Sequence, residues 1–350
     1  MDDPEQTGIL IPAGQPMRIV ITKGSLINAN YGIVYKSDLE IVSEEEAKLT
    51  ITGLSGAITS GTATGCKLTI DANLNLSVKA YYDTSSHILQ ANRADLTING
   101  GNIKISTDDK SSLFGIITRN SGNIIINGGK LDVTSSIGAS PANGSIHASG
   151  KLIINGGTVK ATAKSSVPLY AKKGIEIKDG LVDITSPYYG INAGTPDAPA
   201  DISIQGGTVK ISANRAFFTY PILGEGVFAY AGADEKAAEI YDGSLTALAK
   251  EPWMLISNDP KLQKETEPTE SPTEAPTEAP TEAPTEAPTE APTEAPTQLP
   301  TAAPTEAPTQ AHKDIADILT APRLLLWLAV AGAMSLVGII ITLITFRRKK

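Results

Sequence analysis

A ten-residue pattern that occurs five times within residues 96–212 is the feature that most restricts the fold of this chain. The pattern is apolar-x-Ile-x-(Gly/Asp)-Gly-x-apolar-x-apolar, and successive copies are offset by 28, 28, 23 and 27 residues. Its second glycines are Gly101, Gly129, Gly157, Gly180 and Gly207. Repeats of about 20 to 50 residues are typical of stacked-repeat folds, and alternating apolar residues have the period of a β-strand. The pattern therefore predicts an all-β solenoid.

A third short apolar segment of the form Gly-Ile-x-small separates successive glycine motifs. Its copies lie at residues 115–118, 145–148, 168–171 and 190–193. Three strands per coil predict a three-sided solenoid, in which alternate side chains point inward and equivalent positions stack about 4.8 Å apart. One predicted inner column consists of Ile103, Leu131, Val159, Val182 and Val209.

The alignment of the repeats also predicts two polar columns. Asn99, Asn127 and Asn155 occupy the same turn position, where stacked amides can hydrogen-bond along the axis. The second column faces outward and alternates in charge, with Lys104, Asp132, Lys160, Asp183 and Lys210 as its members. Because like charges stacked at this spacing repel, we interpret the alternation as a control of register, with saccharide binding as the alternative.

The pattern fails in residues 225–258, where we expect the cap that closes one end of the solenoid. Residues 233–240 are predicted to form a short helix within that cap. The organisation predicted for the whole chain is a β-helix domain at 7–258, a disordered stalk at 259–322, a transmembrane α-helix at 323–346 and a basic tail at 347–350. A proline falls at every fourth residue from Pro268 to Pro308, which favours an extended stalk.

A membrane segment is predicted from the uncharged run that begins at Leu324 and ends at Phe346. As a helix the run would be about 35 Å long, against a hydrocarbon core of about 30 Å. Basic residues follow it directly at 347–350, which predicts a cytoplasmic C-terminus and an extracellular β-helix in a single-pass protein of the cell membrane. Residues 1–5 do not resemble an export leader, so we expect a leader that is missing from the sequence or has been removed.

Composition excludes several functional classes. Much of the net charge of −9 comes from stalk glutamates, and the β-rich part has no clustered basic face for nucleic acid. Cys66 is the single cysteine, which excludes a disulfide framework and a cysteine metal site. His87, His147 and His312 lie in unrelated settings, and no carboxylate pair repeats in register. We therefore predict that the chain is not an enzyme and has no catalytic residues.

Several segments carry a resemblance to a known family. They are Tyr31-Gly-Ile with Ser37-Asp-Leu-Glu-Ile, Leu49-Thr-Ile-Thr-Gly, Leu152-Ile-Ile-Asn-Gly-Gly-Thr-Val-Lys, and Tyr189-Gly-Ile-Asn-Ala with Ile202-Ser-Ile-Gln-Gly-Gly-Thr-Val-Lys-Ile. Over about residues 19–213 the chain resembles the clostridial carbohydrate-binding β-helix family, whose shape is related to that of pectate lyases. The resemblance implies a right-handed parallel β-helix that binds plant cell-wall polysaccharide, including cellulose and acidic sugars, with calcium in its loops and without established catalysis.

The chain departs from the family pattern where the family often has Asp-Gly-Ile. The residue before this glycine-isoleucine position is Tyr31, Phe114, Gly144 or Tyr189, so the repeated carboxylate is absent. Calcium takes six to eight oxygen ligands. The carboxylate pairs near coil turns are the candidate calcium ligands, namely Asp108 with Asp109 and Asp197 with Asp201.

Aromatic and polar residues cluster on the predicted Gly-Ile strand and its loops, although aromatic residues make up only 5% of the chain. Aromatic rings stack on the apolar faces of sugars, and amide or basic side chains bind their hydroxyl and carboxylate groups. The candidate carbohydrate-binding residues are Arg119, His147, Tyr170, Lys172, Tyr188, Tyr189 and Asn192. The series continues to Arg215, Phe217, Phe218 and Tyr220, whose aromatic members alternatively cover the end of the core.

These observations favour a membrane-anchored, cell-surface protein that binds plant-type or other extracellular polysaccharide on a non-catalytic β-helix. The alternatives are a surface adhesin or spacer whose ligand is a protein, and a polysaccharide lyase.

Overall fold

The computed structural model describes residues 6–78, 87–107, 114–136, 140 and 144–262, together with the backbone of 325–328 and 341–345. The described part is mostly β-strand and forms a parallel β-helix in which each coil has three strands. The three-sided solenoid predicted from the repeats is thereby confirmed. The predicted stalk, most of the predicted membrane run, and the candidate ligands Asp108 and Asp109 lie outside the described residues.

The strands in chain order are β1 (Thr7–Ile11), β2 (Met17–Ile21), β3 (Ser25–Tyr35), β4 (Leu39–Ser43), β5 (Lys48–Thr59), β6 (Leu68–Asp71), β7 (Asn73–Val78), β8 (His87–Asn92), β9 (Leu96–Gly100), β10 (Asn102–Thr107), β11 (Phe114–Arg119), β12 (Ile124–Ile126), β13 (Lys130–Ser135), β14 (Gly144–Ala148), β15 (Leu152–Ile154), β16 (Thr158–Ala163), β17 (Val167–Ala171), β18 (Ile175–Ile177), β19 (Leu181–Thr185), β20 (Tyr189–Thr195), β21 (Ala198–Pro199), β22 (Ile202–Ile204), β23 (Thr208–Ser212), β24 (Arg215–Phe217), β25 (Ile222–Leu223), β26 (Phe228–Gly232), β27 (Glu239–Ile240), β28 (Trp253–Ser257), β29 (Leu325–Leu328) and β30 (Ile341–Thr345). Helix α1 (Leu245–Leu248) and a 3-10 turn (Pro260–Leu262) complete the described elements.

Strands of successive coils pair in parallel on three faces. Face A contains β2, β4, β6, β9, β12, β15, β18, β22 and β25 in that spatial order. Face B contains the first halves of β3 and β5, followed by β7, β10, β13, β16, β19 and β23. Face C contains β1, the second halves of β3 and β5, and then β8, β11, β14, β17, β20 and β24.

The core is the stack of inward side chains that run along the axis. The predicted inner column is confirmed, because Ile103, Leu131, Val159, Val182 and Val209 are consecutive register partners on face B. Each of these side chains is at most 1% exposed. Apolar burial of this kind is worth about 25 cal/mol per Å², so the inner columns are the main source of stability.

The second glycine of each motif forms the corner between face A and face B. Gly101, Gly129, Gly157 and Gly180 all have positive φ angles, from +78° to +102°. At Gly157 an added Cβ would lie 2.7 Å from backbone atoms of Gly128 and Gly129 in the preceding coil. Two demands thus require glycine at this corner, since the backbone is left-handed and the neighbouring coil leaves no space for a side chain.

The amide column forms as predicted from the sequence. Nδ2 of Asn127 donates to Oδ1 of Asn99 at 2.8 Å, and Nδ2 of Asn155 donates to Oδ1 of Asn127 at 2.7 Å. The predicted charge column is also in register, since Asp183 is the partner of Lys160 on one side and of Lys210 on the other. Among the described residues, however, no ion pair within 4.0 Å joins two members of this column. Its alternation therefore avoids stacking like charges without forming direct ion pairs.

Substitution of Asp183 by lysine is expected to lower the melting temperature more than the same substitution of Asp197. The first change aligns three lysines on adjacent strands, which costs up to about 1 kcal/mol of unfolding free energy. Asp197 is exposed beside the hairpin of β20 and β21 and lies outside the column. Thermal unfolding of the two full-length variants by circular dichroism checks the prediction. Equal melting temperatures at low salt would contradict it, and added salt should reduce the difference.

The end of the solenoid is closed within residues 225–258, where the cap was predicted. Strand β28 pairs antiparallel with β23, which ends the parallel stack of face B, and β26 pairs antiparallel with the other edge of β28. The prediction of a helix at residues 233–240 was wrong, because this segment is a turn that leads into β27. The helix is α1, in which the Ala247 amide donates to the side chain of the N-cap residue Ser244.

Two short strands, β29 and β30, lie within the run for which the sequence predicts a membrane helix. They pair antiparallel with each other, and β30 also pairs antiparallel with β2. No helix in the described part of the chain is long and apolar enough to cross a membrane.

Candidate functional site

The candidate residues of face C belong to one outward column. His147, Tyr170 and Asn192 are consecutive register partners on β14, β17 and β20. The sequence places all three among the candidate carbohydrate-binding residues, but Tyr170 is 3% and Asn192 1% exposed. Their period-2 position directs them away from the core, but the outer side of face C is covered at these coils. Neither side chain is therefore available to a ligand in this structure.

His147 is packed between two aromatic rings. Its ring centroid lies 5.1 Å from that of Phe114, edge to face, and 4.7 Å from that of Tyr170. Burial and, secondarily, the Arg119 cation lower the pKa of His147 to about 4. The imidazole is therefore neutral at pH 7, and its buried Nδ1 has no hydrogen-bond partner among the described residues. Burial also raises the pKa of the Tyr170 phenol.

The other candidates fall into two places. Lys172 is exposed at the turn after β17, where its backbone amide donates to Ala148. Tyr188 and Tyr189 pack edge to face with centroids 4.5 Å apart at the start of β20. Tyr189 also packs edge to face on Phe218, at 5.1 Å. The tyrosine pair thus belongs to an aromatic group near the end of the solenoid.

Arg215 joins this aromatic group to a cleft. Its guanidinium carbon lies 5.6 Å from the centroid of the Tyr189 ring, in the range of a cation–π contact. The cleft, which we call the end cleft, has a volume of about 400 Å³. It is lined by Pro199, Ala200, Asp201, Arg215, Phe218, Thr219, Tyr220, Ile222, Thr246, Ala249 and Lys250. Its walls are the chain that follows β21, the chain from β24 to β25, and helix α1 with its C-terminal flank.

The end cleft combines apolar rings with charged groups. Tyr220 is 58% exposed, whereas Phe218 is half-buried and Phe217 is part of the core. Of the three rings, for which covering the end of the core was the alternative to ligand binding, Phe217 alone is buried in the core. Arg215 and Lys250 contribute two positive charges to the lining, and Asp201 contributes one negative charge. Such a lining can stack on a sugar ring, bind its carboxylate and accept hydrogen bonds from its hydroxyls.

The described residues do not fit a calcium site. No group of three or more His, Cys, Asp or Glu side chains is close enough together, anywhere in the described ranges, to hold a metal ion. Asp197 and Asp201 are both exposed, and only Asp201 lines the end cleft. Calcium requires several carboxylate or carbonyl oxygens arranged around one point. We therefore derive no role for calcium from this pair.

Sequence reasoning missed the helix side of the end cleft. Thr246, Ala249 and Lys250 belong to the cap, which carries no repeat and so offered no alignment with the other coils. The available signal was local, because Ser244 before Leu-Thr-Ala-Leu is a preferred helix N-cap. That signal predicts a helix start but not which coil the helix packs against.

Comparison with known proteins gives no relative: no protein-family model, curated protein or solved structure matches this chain. The fold is thus shown by the coil geometry alone, as a parallel β-helix of about 7 turns.

Proposed function

We propose that this protein is a non-catalytic, cell-surface polysaccharide-binding protein whose ligand site is the end cleft. In this proposal the right-handed β-helix projects from the cell surface on the proline-rich stalk. The observation that carries the proposal is the lining of the end cleft, which brings the exposed Tyr220 ring together with the Arg215 and Lys250 cations.

The aromatic part of the lining suits a sugar better than a flat apolar ligand. Tyr220 presents its ring to solvent at the cleft, while Phe218 is anchored by its edge-to-face contact with Tyr189. Ring stacking on the C–H face of a pyranose leaves the equatorial hydroxyls at the rim, within reach of polar groups. Thr219 lines the same cleft, and its buried hydroxyl has no hydrogen-bond partner among the described residues.

Binding is favoured over catalysis by the charges in the end cleft. Hydrolysis of a glycosidic bond generally requires two carboxyl groups, and Asp201 is the single carboxylate among the described lining residues. Among the described residues, no cluster of three or more His, Cys, Asp or Glu side chains could hold a metal ion in place of the second carboxyl group. Two cations against one carboxylate favour a saccharide that itself carries negative charge.

The test is retention of cellulose, polygalacturonate or collagen by intact cells that express the full chain. Polygalacturonate is expected to be retained, and retention should disappear when protease is added outside the cells. Tyr220→Ala and Lys250→Ala should each weaken binding of the purified full chain about tenfold, because each removes about 1.4 kcal/mol of contact energy.

Matched controls are Tyr31→Ala and Lys236→Ala, which remove an aromatic ring and a cation outside the end cleft. Both controls should bind as the parent does. Retention on collagen alone would replace the proposal with a protein adhesin. Release of unsaturated uronate, detected by its ultraviolet absorbance, would replace it with a lyase.

A further inference from the structure

We infer that the end cleft binds the terminal one or two units of an anionic saccharide and not the flank of a long chain. The inference rests on the proposed function and adds a mode of recognition to it. Three features of the cleft support it: its size, its closure along the solenoid axis and the fixed position of one cation.

The size of the end cleft limits how much saccharide can enter. Its volume is about 400 Å³. Small-molecule sites span roughly 300 to 1,000 Å³ and enclose most of the surface of a drug-sized ligand. A site near the lower limit accommodates about one or two sugar rings. A surface adapted to the flank of a polymer would instead continue over several coils.

Along one outward column of face C, the described residues offer no continuation of the end cleft toward earlier coils. The outward column that leads from the cleft along face C passes through Asn192 and Tyr170, which are 1% and 3% exposed. On the cap side the cleft is bounded by Thr246 and Ala249 of α1 and its C-cap. A saccharide chain that entered the cleft could thus continue neither along this column nor past α1. This geometry admits a chain end more readily than an internal segment.

The charges favour an acidic group on the terminal unit. Arg215 is positioned by its packing on Tyr189, at 5.6 Å, so it loses little rotamer freedom when it binds an anion. Lys250 is exposed on another wall of the same cleft. A carboxylate on the bound unit would balance the excess positive charge of a lining that has two cations, Arg215 and Lys250, and one carboxylate, Asp201. Asp201 can accept hydrogen bonds from hydroxyl groups of the same unit.

The number of chain ends is the quantity that tests this inference. Samples of polygalacturonate are hydrolysed to average lengths of about 100, 10 and 2 units. The purified full chain is titrated with each sample, and the mass of saccharide at saturation is measured. If ends are bound, the mass of saccharide needed for saturation should fall about tenfold for each tenfold shortening. Digalacturonate should compete fully with the long polymer, and neutral galactobiose should compete about tenfold less well.

Three outcomes would overturn the inference. If the mass needed for saturation is the same at all lengths while Tyr220→Ala and Lys250→Ala still weaken binding, the end cleft binds internal segments and the proposed function stands. If digalacturonate fails to compete although the long polymer binds, chain-end recognition is likewise wrong. If neither polymer nor dimer binds, the proposed function fails together with the inference.

Discussion

Gly157→Ala is expected to lower the unfolding free energy by about 2 to 5 kcal/mol, the largest effect expected of a single substitution in this chain. A left-handed backbone costs a non-glycine residue about 1 to 2 kcal/mol, and Gly157 has a φ of +82°. Overlap adds about 1 to 3 kcal/mol, since the new methyl group would lie 2.7 Å from the backbone of the preceding coil. That backbone cannot move aside, because Gly129 O accepts from Thr158 N and Gly157 O accepts from Leu181 N, both at 2.8 Å.

Two other glycines separate the contributions of conformation and space. Gly14 has a φ of +78° and no atom within 4 Å of an added Cβ, so Gly14→Ala should cost about 1 to 2 kcal/mol. Gly24 has neither a positive φ nor a neighbour within that distance, so Gly24→Ala should change stability by less than about 0.5 kcal/mol. Urea unfolding of the full-length variants checks the series. A Gly157→Ala cost no larger than that of Gly14→Ala would show that the coils can separate at this corner.

The repeat predicted those parts of the structure that depend on position within a coil. The inner column from Ile103 to Val209 and the amide column of Asn99, Asn127 and Asn155 both follow from period-2 alternation and parallel stacking. The same alternation directs Tyr170 and Asn192 outward but does not determine whether an outward side chain is covered. The column places the His147 ring beside Tyr170, but the period does not specify how much surface such neighbours cover. The repeat therefore does not predict which outward side chains of face C are exposed.

The end cleft could be predicted only in part. The sequence predicts an aromatic and basic cluster that includes Tyr188, Tyr189 and Arg215. In the structure the rings of Tyr188 and Tyr189 are 4.5 Å apart, and the Arg215 guanidinium lies 5.6 Å from the Tyr189 ring. Lys250 lies outside the repeat, and its place in the cleft depends on how the cap folds back over the last coil. Such contacts between a regular and an irregular segment are long-range in sequence. The repeat gives no information about them.

Acid is expected to destabilise the β-helix through His147, by up to about 3 kcal/mol. Above pH 6.5 the imidazole is neutral in both the folded and the unfolded chain, so it contributes no pH dependence. As the pH falls from 6.5 to about 4, the unfolded chain binds a proton that the folded chain does not, because the folded pKa is about 4. The unfolding free energy must therefore decrease over this interval and become constant below it. Each unit of the pKa difference corresponds to about 1.4 kcal/mol.

His147→Phe isolates this contribution from the acid dependence of the carboxylates. Phenylalanine retains an aromatic ring between Phe114 and Tyr170 but cannot be protonated beside Arg119. Urea unfolding at pH 7.5, 5.5 and 4 should show the parent losing about 3 kcal/mol more than the variant between the first and last pH. Tyr170 stays uncharged over this range, because its pKa is raised above that of an ordinary phenol. If the two pH profiles run parallel, the imidazole has access to solvent and carries its proton equally well in the folded chain. A steeper acid loss in the parent than in the variant instead identifies the packing of His147 between two rings as an acid-sensitive contact of face C.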